Sequence, residues 1–218
     1  MWVKICANTN AEDALAAADL GADAVGFVFA PSSRRVTASQ VKTIAPLLPA
    51  GVERVGVFYT GSTDEIFAAA TEAGLTAVQL HGGLDRELAR RLRDKFSIIQ
   101  TLHWTLGEDE ESATRIRGQL RQIAAGQPDA RVLIDTKVGS ASGGTGWSFD
   151  WAKAREVLAS EPSLRIIVAG GLKPENVAEA IRQLKPWGVD VASGVESEPG
   201  KKDRLNLKAF IENARGAS

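Results

Sequence analysis

The chain alternates along its whole length between short runs of β-branched and apolar residues and longer stretches rich in Ala, Leu and Glu. The short runs fall at 2–6, 24–29, 54–59, 77–81, 97–102, 131–135, 165–169 and 189–193. The longer stretches lie near 11–20, 38–48, 63–73, 84–95, 109–125, 150–160, 174–184 and 205–214. Alternation of this kind implies a parallel sheet, because each return to a parallel neighbour needs a crossover long enough to hold a helix. About eight such units within 218 residues predict an α/β fold of one closed, eight-stranded parallel sheet, a single (βα)8 TIM barrel spanning 1–218. An open doubly wound sheet is the alternative. Against it, the first strand–helix turn, Cys6-Ala7-Asn8-Thr9-Asn10, has no dinucleotide-type glycine fingerprint.

Charge and cysteine usage narrow the function. Lys and Arg number 26 against 27 Asp and Glu, a formal net charge of −1, which predicts neither nucleic-acid nor membrane binding through charge. A single cysteine cannot form an intrachain disulfide and suits a reducing cytoplasm. The first ten residues lack the apolar core of a signal peptide, and no apolar run approaches the ~20 residues of a membrane helix. Helix caps are expected at Thr37 or Ser39, at Thr63 or Asp64, and at Asp150, and Pro174 suits a first helical turn.

The residues that carry chemistry fall just after strands. A strand period of two puts Trp2, Lys4 and Cys6 on one face. With Cys6 in the barrel mouth, Lys4 lies one layer deeper, and its ammonium is expected to favour the thiolate. The plainer alternative is a small buried hydrophobe. Asp135 ends an apolar run, where it either pairs locally or acts as a general acid. An acid must hold a proton near neutrality, which apolar surroundings favour and cations oppose.

Three late turns are rich in Gly and Ser: Gly143-Gly144 with Gly146, Gly170-Gly171, and Ser193-Gly194. Such turns let backbone N–H groups approach an anion, and barrels build phosphate sites from their late loops. Arg34-Arg35 is either a solvated pair or a bidentate partner for a carboxylate. His81 shares a strand face with Gln79 and reads as a hydrogen-bonding residue. His103 stands alone, with no second His or Cys at ligand spacing, so no metal is expected.

Taken together these residues resemble the phosphoribosylanthranilate isomerase family. The matching stretches are Val3-Lys4-Ile5-Cys6, Val25-Gly26-Phe27, Ser32-Ser33-Arg34-Arg35-Val36, Val55-Gly56-Val57-Phe58, Val78-Gln79-Leu80-His81-Gly82, Gly143-Gly144-Thr145-Gly146, Gly170-Gly171-Leu172 with Pro174-Glu175-Asn176, and Gly188-Val189-Asp190 through Glu196 with Pro199-Gly200 and Lys202-Asp203. The resemblance implies a (βα)8 barrel catalysing an Amadori rearrangement without a cofactor. N-(5-phosphoribosyl)anthranilate becomes 1-(2-carboxyphenylamino)-1-deoxyribulose 5-phosphate, a step of tryptophan biosynthesis. It places the base on Cys6, the acid on Asp135 and the anthranilate carboxylate on Arg34. The phosphate is placed against the turns of Gly143, Gly144, Gly170, Gly171, Ser193 and Gly194. His81 and Asp190 are expected beside the substrate, where either of them, or Lys4, could tune the two proton affinities. The resemblance leaves monomer and homodimer both open.

The match has departures. Ala7-Asn8 stands where the family usually has Gly-Ile, and alanine is expected to hold that turn at negative φ. Ser33 stands where proline is common, and Ala192 where serine is. Residues 138–142 are expected to form a mobile loop over the substrate. The sister isomerase of histidine biosynthesis uses an aspartate where Cys6 stands. A lyase such as indole-glycerol-phosphate synthase would want a catalytic lysine, for which Lys4 is the inward candidate. A non-catalytic phosphate-binding barrel would keep the glycine turns and need neither Cys6 nor Asp135.

Overall fold

The structure is a computed structural model that describes residues 1–59, 61–138 and 151–217. Its strands and helices follow the expected alternation: β1 (Trp2–Ile5), α1 (Ala11–Asp19), β2 (Ala24–Val28), α2 (Ala38–Ile44), β3 (Glu53–Phe58), α3 (Thr63–Glu72), β4 (Ala77–Leu80) and α4 (Arg86–Leu92). Then come β5 (Ser97–Leu106), α5 (Asp109–Gly126), β6 (Arg131–Val138), α6 (Trp151–Leu158), β7 (Arg165–Ala169), α7 (Val177–Leu184), β8 (Gly188–Val191) and α8 (Arg204–Gly216). Strands β1 to β8 pair in order, and β8 returns to β1 to close the barrel. At the closure Lys4 lies in register with Asp190, and Ile5 with Val191.

Side chains alternate across the barrel wall, as the strand period requires. Trp2, Ala24, Val55, Ala77, Ile99, Leu133, Ile167 and Ala169 pack inside it. Val3, Ile5, Val25, Phe27, Val132, Ile134, Val168 and Val189 belong to the larger core shared with the helices. Each such fully buried side chain contributes about 1.5–3 kcal/mol. The same parity decides the chemistry: with Leu133 inside and Ile134 outside, Asp135 faces inward. Trp2 stacks on Trp187 at 5.3 Å, next to the interior cluster at the N-terminal end of the strands.

Some boundaries differ from the sequence reading. Strands β5 and β6 continue past 102 and 135 because they pair with each other from Ile99–Arg131 to Leu106–Val138. Thr37 caps α2 in a capping box with Gln40, but the cap of α3 is Ser62, paired with Glu65. Pro174 precedes α7, which starts at Val177. Asp150 lies outside the described residues. A short antiparallel hairpin, β9 (Glu196–Glu198) with β10 (Lys201–Lys202), was not legible as strand. It turns at Pro199-Gly200, and the Thr9 hydroxyl donates to the Gly200 carbonyl at 2.6 Å, so the hairpin is tied to the first loop.

Candidate active site

At the C-terminal mouth of the strands lies a cavity of about 430 Å³, lined by Cys6, Arg34, His81, Asp135, Gly170, Gly171, Asp190, Ser193 and Gly194. Every expected site residue among those described is therefore brought together. Gly143 and Gly144 lie outside the described residues, as does the expected loop beyond Val138. A larger hollow of about 600 Å³ touches Trp2, Trp187 and Arg165, at the opposite end of the barrel from that chemistry.

Cys6 follows β1, and its backbone N–H donates to the Val191 carbonyl at 2.7 Å. Beneath it the Lys4 ammonium, wholly buried, meets the Asp190 carboxylate at 2.9 Å. A Cβ on Gly26 would sit 2.7 Å from the Cys6 sulfur and 3.0 Å from Lys4 Cε, so glycine in β2 leaves the space both side chains use. Burial disfavours the Lys4 ammonium, but Asp190 and Cys6 more than offset this, and Lys4 holds its proton more firmly than a free lysine. Burial pushes the Cys6 thiol up, and Asp190 adds to it, while Lys4 and Lys202 pull the other way without reversing it. This corrects the expectation of a lowered thiol. Lys4 does favour the thiolate, as expected, but burial of the sulfur outweighs it.

The turn after Cys6 also departs from expectation. Ala7 has φ of 62°, in the left-handed region rather than at negative φ. Alanine there costs about 1–2 kcal/mol relative to the right-handed form. Buried Asn8 holds the turn: its amide donates to the Ile5 and Gly26 carbonyls at 2.8 and 3.2 Å, and its backbone N–H also reaches Gly26.

Asp135 projects from β6 toward two histidines. His81 Nε2 lies 3.6 Å and His103 Nδ1 3.7 Å from Asp135 Oδ2. The histidine rings meet edge to face at 4.9 Å. His103 is in register with Asp135 across β5 and β6, so it does not stand alone as its isolation in sequence suggested.

Arg34 reaches into the mouth from the loop after β2. Its Nε and Nη2 fork onto Glu196 at 2.6–3.0 Å, and Glu196 also accepts from Lys202 at 3.2 Å. Burial opposes the Glu196 charge, but Arg34 and Lys202 hold its carboxyl below the ordinary carboxylate range. Lys202 is buried, which lowers its proton affinity, and its ammonium also donates to the Cys6 and Ala192 carbonyls at 2.6 and 3.2 Å. Glu196 and Lys202 thus bind the second, first and last loops together. Their motif was visible in the sequence; their partners were not. The fork onto Glu196 engages Nε and one N–H of Nη2.

The late turns are held by their carbonyls. Gly170 and Gly171 have φ of 86° and 66°, and a Cβ on Gly170 would lie 2.2 Å from the Thr136 hydroxyl. Thr136 donates to the Gly170 carbonyl at 3.1 Å and Asn176 to the Gly171 carbonyl at 3.0 Å. In a trans peptide the following N–H points the opposite way. Ser193 and Gly194 form a short 3-10 turn directly after β8.

Comparison with known proteins shows a family and its fold. The family model described as N-(5'-phosphoribosyl)anthranilate (PRA) isomerase matches residues 3–213. The N-(5'-phosphoribosyl)anthranilate isomerase of Thermotoga neapolitana is 43% identical over 216 residues, 98% of each chain. A solved phosphoribosyl anthranilate isomerase in complex with reduced 1-(o-carboxyphenylamino)-1-deoxyribulose 5-phosphate is 37% identical, with a TM-score of 0.83 and 99% of each chain covered. A structure of monomers generated from the dimeric Thermotoga maritima enzyme is 37% identical over 99% of each chain, with a TM-score of 0.82.

Proposed function

The chain belongs to the N-(5'-phosphoribosyl)anthranilate isomerase family, and from that premise we propose how its residues divide the work. The reaction is the isomerisation of N-(5-phosphoribosyl)anthranilate to 1-(2-carboxyphenylamino)-1-deoxyribulose 5-phosphate in tryptophan biosynthesis. Asp135 gives its proton to the ribose ring oxygen as the C1–O bond breaks and the amine nitrogen forms C1=N⁺. The Cys6 thiolate takes the proton from C2, and its electrons form C1=C2 and neutralise the nitrogen. The enol hydroxyl then gives up its proton and C1 gains one, which leaves a ketone at C2 and an isomer of the substrate; the proton held by Cys6 is given up and the Asp135 carboxylate takes one back, so both groups return to their starting forms.

The observation that carries this reading is that a buried thiol and an inward carboxyl line one cavity whose late turns are built from Gly170, Gly171, Ser193 and Gly194. The phosphate rests on those turns, joined by Gly143 and Gly144. The anthranilate carboxylate meets Arg34 on the opposite, early-loop side. His81 and Asp190 act beside the substrate, the first at the acid and the second, through Lys4, under the base. Two groups with opposed proton tasks need separated environments. Here one sits over an ion pair and the other between imidazoles. Residues 1–218 act as one catalytic domain in the cytoplasm, as a monomer or homodimer, with no cofactor and no nucleic-acid or membrane partner. Among the described residues no helix is long and apolar enough to cross a membrane.

The test is to incubate the protein with N-(5-phosphoribosyl)anthranilate and follow the loss of substrate fluorescence. Turnover is expected. A folded sample that binds phosphate and yields no turnover would overturn the reading.

A further inference from the structure

We propose that His81, His103 and Asp135 form a binding site for a divalent transition-metal ion such as Zn²⁺ or Co²⁺, and that its occupation inhibits isomerisation. The three residues come from neighbouring strands: His81 directly follows β4, His103 lies in β5 and Asp135 in β6. One ligand atom from each lies within 4.8 Å of the others. Around an ion at metal–ligand distances of about 2.1 Å, tetrahedral donors stand ~3.4 Å apart. Two of the three edges, at 3.6 and 3.7 Å, are already within a few tenths of that. Small rotations of the side chains would complete the third.

The second argument is tautomeric. His103 Nε2 lies 2.9 Å from the His81 carbonyl. A carbonyl only accepts, so Nε2 carries the hydrogen, and the nitrogen that faces Asp135 is Nδ1, the one that can bind an ion without displacing that hydrogen bond. A ring whose far nitrogen donates to a backbone carbonyl is the usual arrangement of a metal-bound histidine. Two imidazoles and one carboxylate on one side, with the cavity on the other, make a three-point site with open positions, and imidazole suits Zn²⁺, Ni²⁺ and Cu²⁺. The backbone placement is rigid, because β4, β5 and β6 are paired in register.

Binding of the ion does not depend on the function assigned to Asp135; its inhibitory effect does. An ion on Asp135 Oδ2 occupies the oxygen that would carry the proton. The two claims are separable by experiment. Chelator-treated full-length protein is titrated with Co²⁺, following the visible ligand-field bands, and with Zn²⁺ by calorimetry. One equivalent is expected to bind. His103→Ala is expected to weaken binding by at least ~10–100-fold, the loss typical of removing even an outer-shell partner. His103→Gln, which keeps a donor for the His81 carbonyl, gives the same loss in a fold closer to the parent. Cys6→Ser leaves the Co²⁺ bands unchanged. Zn²⁺ slows turnover of the parent and a chelator restores it, whereas the turnover that His103→Gln retains does not respond to the metal. No binding at millimolar metal, unchanged affinity in both His103 variants, or bands lost in Cys6→Ser would each overturn the site. Binding that leaves turnover untouched would overturn the inhibition.

Discussion

Replacing Lys4 by methionine keeps most of the side chain's length and removes its charge. What remains is the Asp190 carboxylate in the barrel interior, stripped of the ammonium that sat 2.9 Å away at 0% exposure. Breaking a buried ion pair by removing one partner costs about 3–5 kcal/mol. In a chain of this length each kcal/mol moves Tm by roughly 2–4 °C, so the variant should melt about 6–20 °C below the parent. The loss should also carry a pH signature. Burial already raises the Asp190 carboxyl, with Lys4 opposing it. Without Lys4 the carboxyl rises further and takes up a proton on folding.

The native variant then binds more protons than its unfolded chain, so its stability falls as pH rises. The slope is at most ~1.4 kcal/mol per pH unit, so moving from about pH 7 to about pH 5 should shrink the deficit by up to ~2.7 kcal/mol. Urea unfolding of the parent, Lys4→Met and Lys4→Met/Asp190→Leu across that range measures it. The double variant should recover most of the loss, since replacing a buried pair by apolar groups is often neutral. A deficit under about 1 kcal/mol, or one flat with pH, would show that Asp190 is not the stranded charge.

Other outcomes follow from the same geometry. Cys6→Ala should lower kcat by ~10²–10⁴-fold with little change in the affinity of a product analogue, and a loss below about tenfold would return Cys6 to a packing role. Because burial raises the thiol and the thiolate is the proposed base, kcat/KM of the parent should climb with pH past the ordinary thiol range; a plateau below about pH 8.5 would contradict this. Asp135→Asn should abolish most turnover yet keep product-analogue binding, and an active Asn variant would remove Asp135 from the mechanism. Glu196→Gln should free the Arg34 fork and weaken anthranilate-bearing ligands while inorganic phosphate binds as before, and Arg34→Ala should do the same more strongly; a matched loss of phosphate affinity would place Arg34 at the wrong end of the substrate. The lowered Glu196 carboxyl contributes stability that is full above about pH 4.5 and is lost as pH falls through its folded value. Acid unfolding of Glu196→Gln should lack that component.

The barrel was legible because its strands and helices carry opposed periodicities, and the inward parity of Lys4, Cys6 and Asp135 followed from a period of two. What lay outside reach was anything set by register between distant strands. His103 sits 22 residues from His81 in the chain and became its neighbour only through the pairing of β4 with β5 and β5 with β6. The expectation of no metal rested on spacing along the chain, which does not register residues brought together on adjacent strands. The net rise of the Cys6 thiol was missed for a related reason. Lys4 favours the thiolate as expected, but the burial that outweighs it and the Asp190 carboxylate that adds to the rise depend on how β8 meets β1, which no local pattern encodes. Glu196 and Lys202 were recognisable as part of a motif, yet their role as ties between three loops needs the hairpin that brings them together.

The loop that carries Cys6 brings these threads to one place. Ala7 at positive φ is a local misfit, and by itself would push the chain toward a different turn. It persists because Asn8 tethers the turn to β1 and β2, and because Lys202 holds the Cys6 carbonyl. The strain of one residue is thus borne by contacts from three other elements. A family pattern with glycine at this position would need no such support. The Ala7-Asn8 pair works as a unit, in which alanine narrows the backbone freedom beside Cys6 and asparagine selects the one conformation that aims it into the cavity. The position of Cys6, the proposed base, is therefore set by tertiary contacts rather than by local preference. Substitutions at Asn8 or Lys202, which touch no substrate in the proposed mechanism, should then act on proton transfer at C2 more than on substrate binding.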